Sequence, residues 1–382
     1  MKSSKHFNFY GVKVYLESDD SDIAELLARD FAYFVSDITV PDITENPALA
    51  PEPAPATPGA PATHETTASP TTPVPAIKIH SFLTTPDFSQ IPAVRASLYN
   101  PDSISYDFEN KRYVDYHGEA LTIYDYKEET GRVYTQNSDL MHELVYLLIL
   151  SRSGELLDKR GIHRLHAMGI SFYGKGVLLV LPQGAGKTTL ALELLKHNGV
   201  KLLADDTPLV SKKGEILPFP IRIGVRKGAP PDTLLDIPEK YLYNFSRRKH
   251  GHKILIDLEY FGDKISGRGA SAASDRTEPA IILIGEREAA DNPRITKICP
   301  TSAILPFITN GVLGLGLPQM VEYFLRTGIK DLFAKFRIAV SRLRVFLKVI
   351  AMSRCYRFTL GTDSASNARV MVDFLRKNMD GE

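Results

Sequence analysis

The sequence predicts an α/β fold, preceded by a small α+β region and followed by a mostly helical one. Three observations carry this expectation. Residues 177–181 form a continuous apolar run, the pattern of a strand buried on both faces. After a glycine-containing loop, residues 188–197 put Leu190, Ala191, Leu194 and Leu195 at helical spacing, and residues 201–204 read as a second strand. Beyond residue 301 the chain turns helical, with a last strand over 355–359 and a last helix over 365–377.

Bulk properties exclude several classes. The 382 residues suggest two or three domains, and 43% hydrophobic against 24% charged residues is ordinary for a globular protein with a sizeable core. A net charge of +1 carries no overall signature of a nucleic-acid binder. The two cysteines, Cys299 and Cys355, are far apart, which argues against a disulfide framework or a zinc site and fits a reducing compartment. The first residues have lysines but no apolar stretch of signal-peptide type, and no run reaches the roughly 18 apolar residues of a membrane span. A cytoplasmic location is expected.

Along the chain, residues 1–40 read as a small βα unit. A strand is expected over 7–16, then a helix over 21–35 with Ile23, Leu26, Leu27, Phe31 and Phe34 inward and caps within 19–21. Residues 41–76 hold ten of the 25 prolines, mixed with Ala and Thr. Such a stretch has little to bury and reads as a disordered linker, or as a docking segment for a proline-reading domain. Residues 77–159 look β-rich, with Gly118 and Gly131 as turns. One helix follows over 138–150, with Asp139 as cap and Leu140, Leu144, Leu147 and Leu148 on one face. Residues 160–300 hold the chemistry, and 301–382 form the helical region. Within the latter, 329–352 is apolar and basic: Phe333, Phe336, Val340, Leu343 and Leu347 recur at helical spacing among six lysines and arginines. The plain reading is a surface helix with a solvated basic face; the sharper ones are an anionic membrane surface or an acidic protein partner.

Residues 181–189 read Leu-Pro-Gln-Gly-Ala-Gly-Lys-Thr-Thr. The phosphate-loop pattern is G-x-x-x-x-G-K-[ST], and here Leu181 replaces its first glycine. Gln183, Gly184, Ala185, Gly186, Lys187, Thr188 and Thr189 are the candidate nucleotide contacts. Their N–H groups and the helix start favour an anion, Lys187 would neutralise phosphate oxygens, and Thr188 would offer its hydroxyl to Mg²⁺. Losing the first glycine removes freedom at one backbone turn. The alternative is a glycine-rich turn beside an ordinary exposed lysine.

Asp205 and Asp206 end the second strand, 18 and 19 residues past Lys187. In a parallel sheet they would stand at the carboxyl edge beside the loop. One could hold Mg²⁺ and the other accept a proton from an attacking hydroxyl; the plain alternative is a turn, since Asp-Asp-Thr-Pro is good turn chemistry. His166 precedes an apolar stretch, the turn at Gly174 and the loop strand. A hairpin there would bring it back to the loop, although His163 is an equal competitor by spacing.

Together these residues resemble the catalytic domain of the bacterial HPr serine kinase/phosphorylase family, whose sheet is related to that of PEP carboxykinase. His166, the run Gly169-Ile170-Ser171-Phe172-Tyr173-Gly174, the loop, and Leu203-Ala204-Asp205-Asp206 follow that family's order over about 160–225, and Pro218-Phe219-Pro220 follows as in relatives. The resemblance implies a P-loop core, ATP and Mg²⁺ as cofactors, transfer to a serine hydroxyl, and a homo-oligomer. It would make Asp205 the base, Asp206 and Thr188 metal ligands, Lys187 a phosphate contact and His166 a wall of the phosphate site. The sequence departs from the family where a metal-site glutamate precedes Ile-Arg-Gly-Leu-Gly: Pro220 stands before Ile221-Arg222-Ile223-Gly224, and Glu215 is out of register.

Arg222, Arg226 and Lys227 are candidate contacts to phosphate or to an acidic acceptor, and residues 247–252 form a second basic cluster. Gly262, Gly267 and Gly269 around Arg268 suggest a lid. The leading expectation is an ATP-dependent phosphotransferase acting on a hydroxyl of a protein, peptide or small molecule. The second is a nucleotide-binding switch or slow ATPase, and the third a carboxykinase-type enzyme.

Overall fold

The computed structural model describes residues 2–36, 76–182, 184–226, 236–247, 251–266, 276–288, 292–313 and 329–379. The Pro-rich stretch, apart from Ala76, lies outside them, as do Lys227, Gly267, Arg268 and Gly269.

The fold is mixed α/β. It opens on a hairpin, β1 (Ser3–Phe9) and β2 (Val12–Ser18), where a single strand over 7–16 was expected. The turn accounts for the difference. Tyr10 and Gly11 both take positive φ, as a two-residue hairpin turn requires, and a tyrosine in that place hides the turn from pattern reading. The helix α1 (Ser21–Asp30) starts where Asp20 accepts bonds from the N–H groups of Asp22 and Ile23. It ends sooner than expected, giving way to a 3₁₀ turn over Ala32–Phe34.

Then β3 (Ile77–Leu83) pairs in parallel with β2. The meander β4 (Leu98–Asn100), β5 (Ser103–Phe108), β6 (Lys111–Asp115), β7 (Ala120–Asp125) and β8 (Thr130–Thr135) closes back onto β3. The stretches on either side of residues 37–75 therefore share one eight-stranded sheet, in the order β1-β2-β3-β8-β7-β6-β5-β4. Next comes α2 (Ser138–Lys159). Its cap is Asn137, accepting from the Leu140 N–H, rather than Asp139, and it runs well past residue 150. Its far half is buried all round, so it shows no amphipathic stripe to read. Arg152 is paired there through its two Nη groups with Glu129 and Glu155 at 2.7–3.1 Å. Gly154 allows the close pass of Arg164, whose guanidinium carbon would lie 2.1 Å from an added Cβ.

The second large sheet is six-stranded. In chain order the next elements are β9 (His163–Arg164), β10 (Met168–Phe172), β11 (Lys175–Val180), α3 (Lys187–Leu195) and β12 (Val200–Ala204). They are followed by β13 (Leu209–Val210), β14 (Ile216–Leu217), β15 (Ile223–Arg226), β16 (Leu242–Arg247), β17 (Gly251–Ile256), β18 (Pro279–Arg287) and β19 (Arg294–Lys297). The chain ends with α4 (Ile304–Phe307), α5 (Ile329–Met352), β20 (Arg354–Leu360) and α6 (Ser364–Met379). The large sheet has the order β12-β10-β11-β18-β20-β19. It is mixed rather than parallel: β10 lies between β11 and β12, antiparallel to both, while β11, β18 and β20 are parallel. Val177 and Leu179 face α3 and α6, and Leu178 and Val180 face α5. This two-sided burial is why the run is continuously apolar.

The helix α5 is turned against expectation. Its core face is Ile338, Val345, Phe346 and Val349 with the buried Arg342, and the Phe333–Phe336 end of the expected apolar face points to solvent. Arg342 can be inside because its Nη2 and Nε both donate to Asp158, at 2.5 and 3.0 Å. No helix among the described residues is long and apolar enough to cross a membrane.

The first sheet's layer is joined to the small β15–β17–β16 sheet through Asp30, a fully buried carboxylate at the end of α1. It accepts from Arg222 Nη1 at 2.7 Å and Tyr243 Oη at 2.9 Å, and lies 2.7 Å from His142 Nε2. Arg222 is sandwiched between the rings of Tyr146 and Phe245. Arg222 therefore fastens the interior and does not serve as a phosphate or acceptor contact. Burial opposes the Asp30 charge, but the Arg222 charge and the His142 bond outweigh it and hold the carboxyl below its ordinary value. Its contribution is complete above the usual carboxylate range and is lost as pH falls through the lowered value. Asp30→Asn, which leaves Arg222 buried beside a neutral group, should cost about 3–5 kcal/mol in urea unfolding at pH 7. The difference from wild type should narrow in acid.

Candidate functional site around residues 181–188 and Asp205

The strand order positions the site. The carboxyl ends of β11 and β12 and the amino end of β10 share one sheet edge. That edge brings together the loop after β11, Asp205 and Asp206 after β12, and His166 just before β10. The expected β10–β11 hairpin is present, pairing Met168 with Leu179. The antiparallel β10 between the two strands carries His166 to the acidic pair as well.

The loop turns through Gly184 and Gly186, at φ 79° and 93°, conformations that side chains with a Cβ resist. Gly186 leads directly into α3, with Lys187, Thr188 and Thr189 in its first turn. Gln183 lies outside the described residues. Leu181, in place of a glycine, has a packing reason. It is buried on Gly285 of β18, where a Cβ would lie 2.5 Å from the leucine side chain. The pair is complementary: a bare glycine on one strand gives room for a leucine on its neighbour.

Lys187 is buried with its ammonium folded back over the loop. It donates to Leu181 O at 2.9 Å and stands 3.1 Å from His166 Nε2 and 3.8 Å from Asp206 Oδ1. Because the ammonium only donates, His166 Nε2 accepts and its proton is on Nδ1. Nδ1 is 3.3 Å from Asp206 Oδ1, close but not aligned for a hydrogen bond. Burial is the main force lowering the pKa of both His166 and Lys187, against the pull of Asp206. His163 is not part of this group: it is buried between Asp158 and Ser341.

Thr188 Oγ1 donates to Asp205 Oδ2 at 2.9 Å. The other oxygen, Asp205 Oδ1, is buried without a hydrogen-bond partner. Burial, and after it the charge of Asp206, push Asp205 up to about 6, although Thr188, Lys187 and Lys253 pull the other way. Thr188 Oγ1 and the partly exposed Asp206 carboxylate are oxygen donors of the kind Mg²⁺ takes, one or two carboxylates with water and phosphate completing the shell, and Asp205 Oδ1 beside them is left without a partner. Among the described residues, no three His, Cys, Asp or Glu side chains form a metal-holding group. Glu215 is engaged elsewhere, accepting from Ser211 and pairing with Arg276.

Two basic residues belong beside this site that sequence reading did not single out. Arg287 ends β18 on the same edge, and an added Cβ on Gly186 would lie 3.7 Å from its Nη1. Lys253 of β17 lies near enough to act on Asp205. Arg287 had a readable signal, a charged residue closing an apolar strand at a carboxyl edge. Lys253 had none, since only the third dimension brings β17 to β12. Of the residues expected in basic clusters or a lid, Arg226 and Arg247 end strands, His252 is exposed on β17, and Gly262 turns within a 3₁₀ segment. No protein-family model matches the chain, and no curated protein matches it.

The raised pKa of Asp205 has a consequence independent of any reaction. A carboxylate that holds its proton more tightly when folded makes the fold less stable as pH rises through the interval from the ordinary value to about 6. Asp205→Asn keeps the Thr188 bond and removes the charge. It should raise Tm by a few degrees at pH 7.5 and leave it nearly unchanged near pH 4.

Proposed function

We propose that this chain is an ATP- and Mg²⁺-dependent phosphotransferase built on a P-loop core, acting on a hydroxyl group. The observation that carries the proposal is the junction of the Gly-Ala-Gly-Lys-Thr helix start with Asp205, through the 2.9 Å bond from Thr188. An anion-binding loop alone would bind a nucleotide. A raised, half-orphaned carboxylate 2.9 Å from its threonine adds a proton acceptor.

Bound ATP would supply the phosphoryl group, and Mg²⁺ the neutralisation of its charge. The chain's own residues would do the rest. Gly184 to Thr189 offer backbone N–H groups at the positive end of α3, and Lys187 exchanges its loop carbonyls for phosphate oxygens. Thr188 and Asp206 would hold the metal. Asp205 Oδ1 takes the acceptor's proton, a task suited to a group with a pKa of about 6 because it is mostly ionised at neutral pH and still basic. His166, beside both Lys187 and Asp206, holds the pair in a fixed geometry. The cytoplasmic location expected from the cysteine usage, and the homo-oligomer and serine acceptor implied by the resemblance, belong to the same proposal.

A second reading is supported by Lys187 itself. Its ammonium is already satisfied by the Leu181 carbonyl and His166, so nucleotide must displace those bonds. A protein that changes shape with nucleotide without transferring phosphate would use the same exchange. Incubation with γ-labelled ATP, Mg²⁺ and cell extract separates the readings. Wild type should label a discrete acceptor and Asp205→Asn should not, with an activity loss on the order of a hundredfold or more and ATP binding kept. Equal silence from both proteins, with ATP bound by both, would favour the switch. The acid limb of the wild-type rate should lie near pH 6, with activity lost below it as Asp205 is protonated.

Arg287→Ala tests the phosphate edge separately. It should weaken ATP binding by roughly tenfold, the order expected for one charge-assisted contact, and leave AMP binding unchanged. An equal effect on both nucleotides would place Arg287 outside phosphate recognition.

A further inference from the structure

The outward face of α5 has no counterpart in the site just described. Leu332, Phe333 and Phe336 are 65–70% exposed, and Leu347 is 41% exposed further along. With 3.6 residues per turn, Leu332, Phe336, Val340, Leu343 and Leu347 form one stripe opposite the buried Ile338, Val345 and Val349. The exposed Arg337, Arg344 and Lys348 line one flank of it. From Leu332 to Leu347 the stripe runs about 22 Å at 1.5 Å per residue.

A surface helix normally turns its aromatic residues inward and its charges outward. Here the core side is closed by Arg342 held on Asp158, and Lys335 is neutralised by Glu155 at 3.1 Å. The basic residues with internal partners are therefore on one side, and those left to solvent border the exposed phenylalanines. Asp331 is the single acidic residue of the helix. Contiguous exposed apolar surface on this scale marks an interaction site.

We propose that this face of α5 docks in the plane of an anionic lipid bilayer. The phenylalanines and leucines would enter the headgroup–acyl boundary, and Arg337, Arg344 and Lys348 would meet lipid phosphates beside them. Charge complementarity selects this occupant. Packed face to face on the α5 of a second copy, it would meet the same basic flank with Asp331 the one acidic residue of that helix to offset it, whereas an anionic bilayer supplies both an apolar layer and a sheet of negative charge. The proposal rests on α5 alone and is independent of the phosphotransferase reading.

The test is cosedimentation of the full chain with phosphatidylcholine vesicles, with and without phosphatidylglycerol. Binding should be on the order of a hundredfold stronger on the anionic vesicles, the effect of a few basic side chains at a charged surface. It should weaken with salt. Phe333→Ser with Phe336→Ser should abolish it, as should Arg337→Glu with Arg344→Glu. Each pair should leave the thermal transition unchanged, because these side chains face solvent. Lys13→Glu, an exposed charge reversal on β2, should bind like wild type. Equal binding to neutral and anionic vesicles, or binding kept by both paired variants, would overturn the proposal. So would a dimer in light scattering that the phenylalanine pair dissolves while vesicles are ignored, since α5 would then be an interface between copies.

Discussion

Asp30 is the group on which the arrangement of the molecule depends. It closes α1, yet its three partners come from α2, from β16 and from the segment between β14 and β15. A fully buried carboxylate is costly in isolation and tolerable only when its acceptors are satisfied. The first sheet and the small β15–β17–β16 sheet must therefore meet in one relative position. Phe219 reinforces the join by packing its ring against Phe9 and Phe34 in the first core, and Tyr10 donates to the Pro218 carbonyl. The Pro-Phe-Pro segment is thus a plug between two cores.

The fixed join matters because β17 stands on the small sheet. Lys253 acts on Asp205 only while that sheet is held where Asp30 and Arg222 put it. Two opposing effects meet at Asp205: burial and Asp206 favour its proton, and Thr188, Lys187 and Lys253 favour its charge. The net result is a carboxyl poised near neutrality. A single lysine or a single layer of packing would move it several-fold in ionisation, so positioning by distant elements is part of the site's chemistry.

How much of this was legible in the sequence depended on the range of the contacts. The buried strand β11, the helix α3, the loop between them and the proximity of His166 follow from local periodicity and one hairpin, and were readable. The hairpin turn at Tyr10 was not, because tyrosine at positive φ leaves no compositional trace. The far half of α2 was missed because burial on all sides erases the stripe that periodicity detects. The face of α5 was misjudged for the opposite reason. Its stripe is plain, but a buried Arg342 reverses which side is inside, and only Asp158, 184 residues away, can justify that. Arg222 was misread on the same ground, since an arginine after a turn and an arginine filling a core look alike until Asp30 is seen. Sequence reading succeeds where apolar pattern decides burial and fails where long-range charge pairs do.

The two faces of α5 connect these themes. On its inner side Arg342 donates to the carbonyls of Gly311 and Val312, at 3.3 and 3.2 Å. Those residues close a π-helical turn, Ile308–Val312, whose Asn310 carbonyl accepts the His166 N–H at 3.0 Å. His166 in turn touches Lys187. The backbone that holds the histidine is therefore fastened on one side to the sheet edge and on the other to a helix whose opposite face is apolar and basic. π-turns are rare and occur mostly as single turns, often at functional sites. The same histidine stands 3.1 Å from Lys187 and 3.3 Å from Asp206, so one residue links the inner side of α5, through its backbone, to the charged groups of the sheet edge, through its ring.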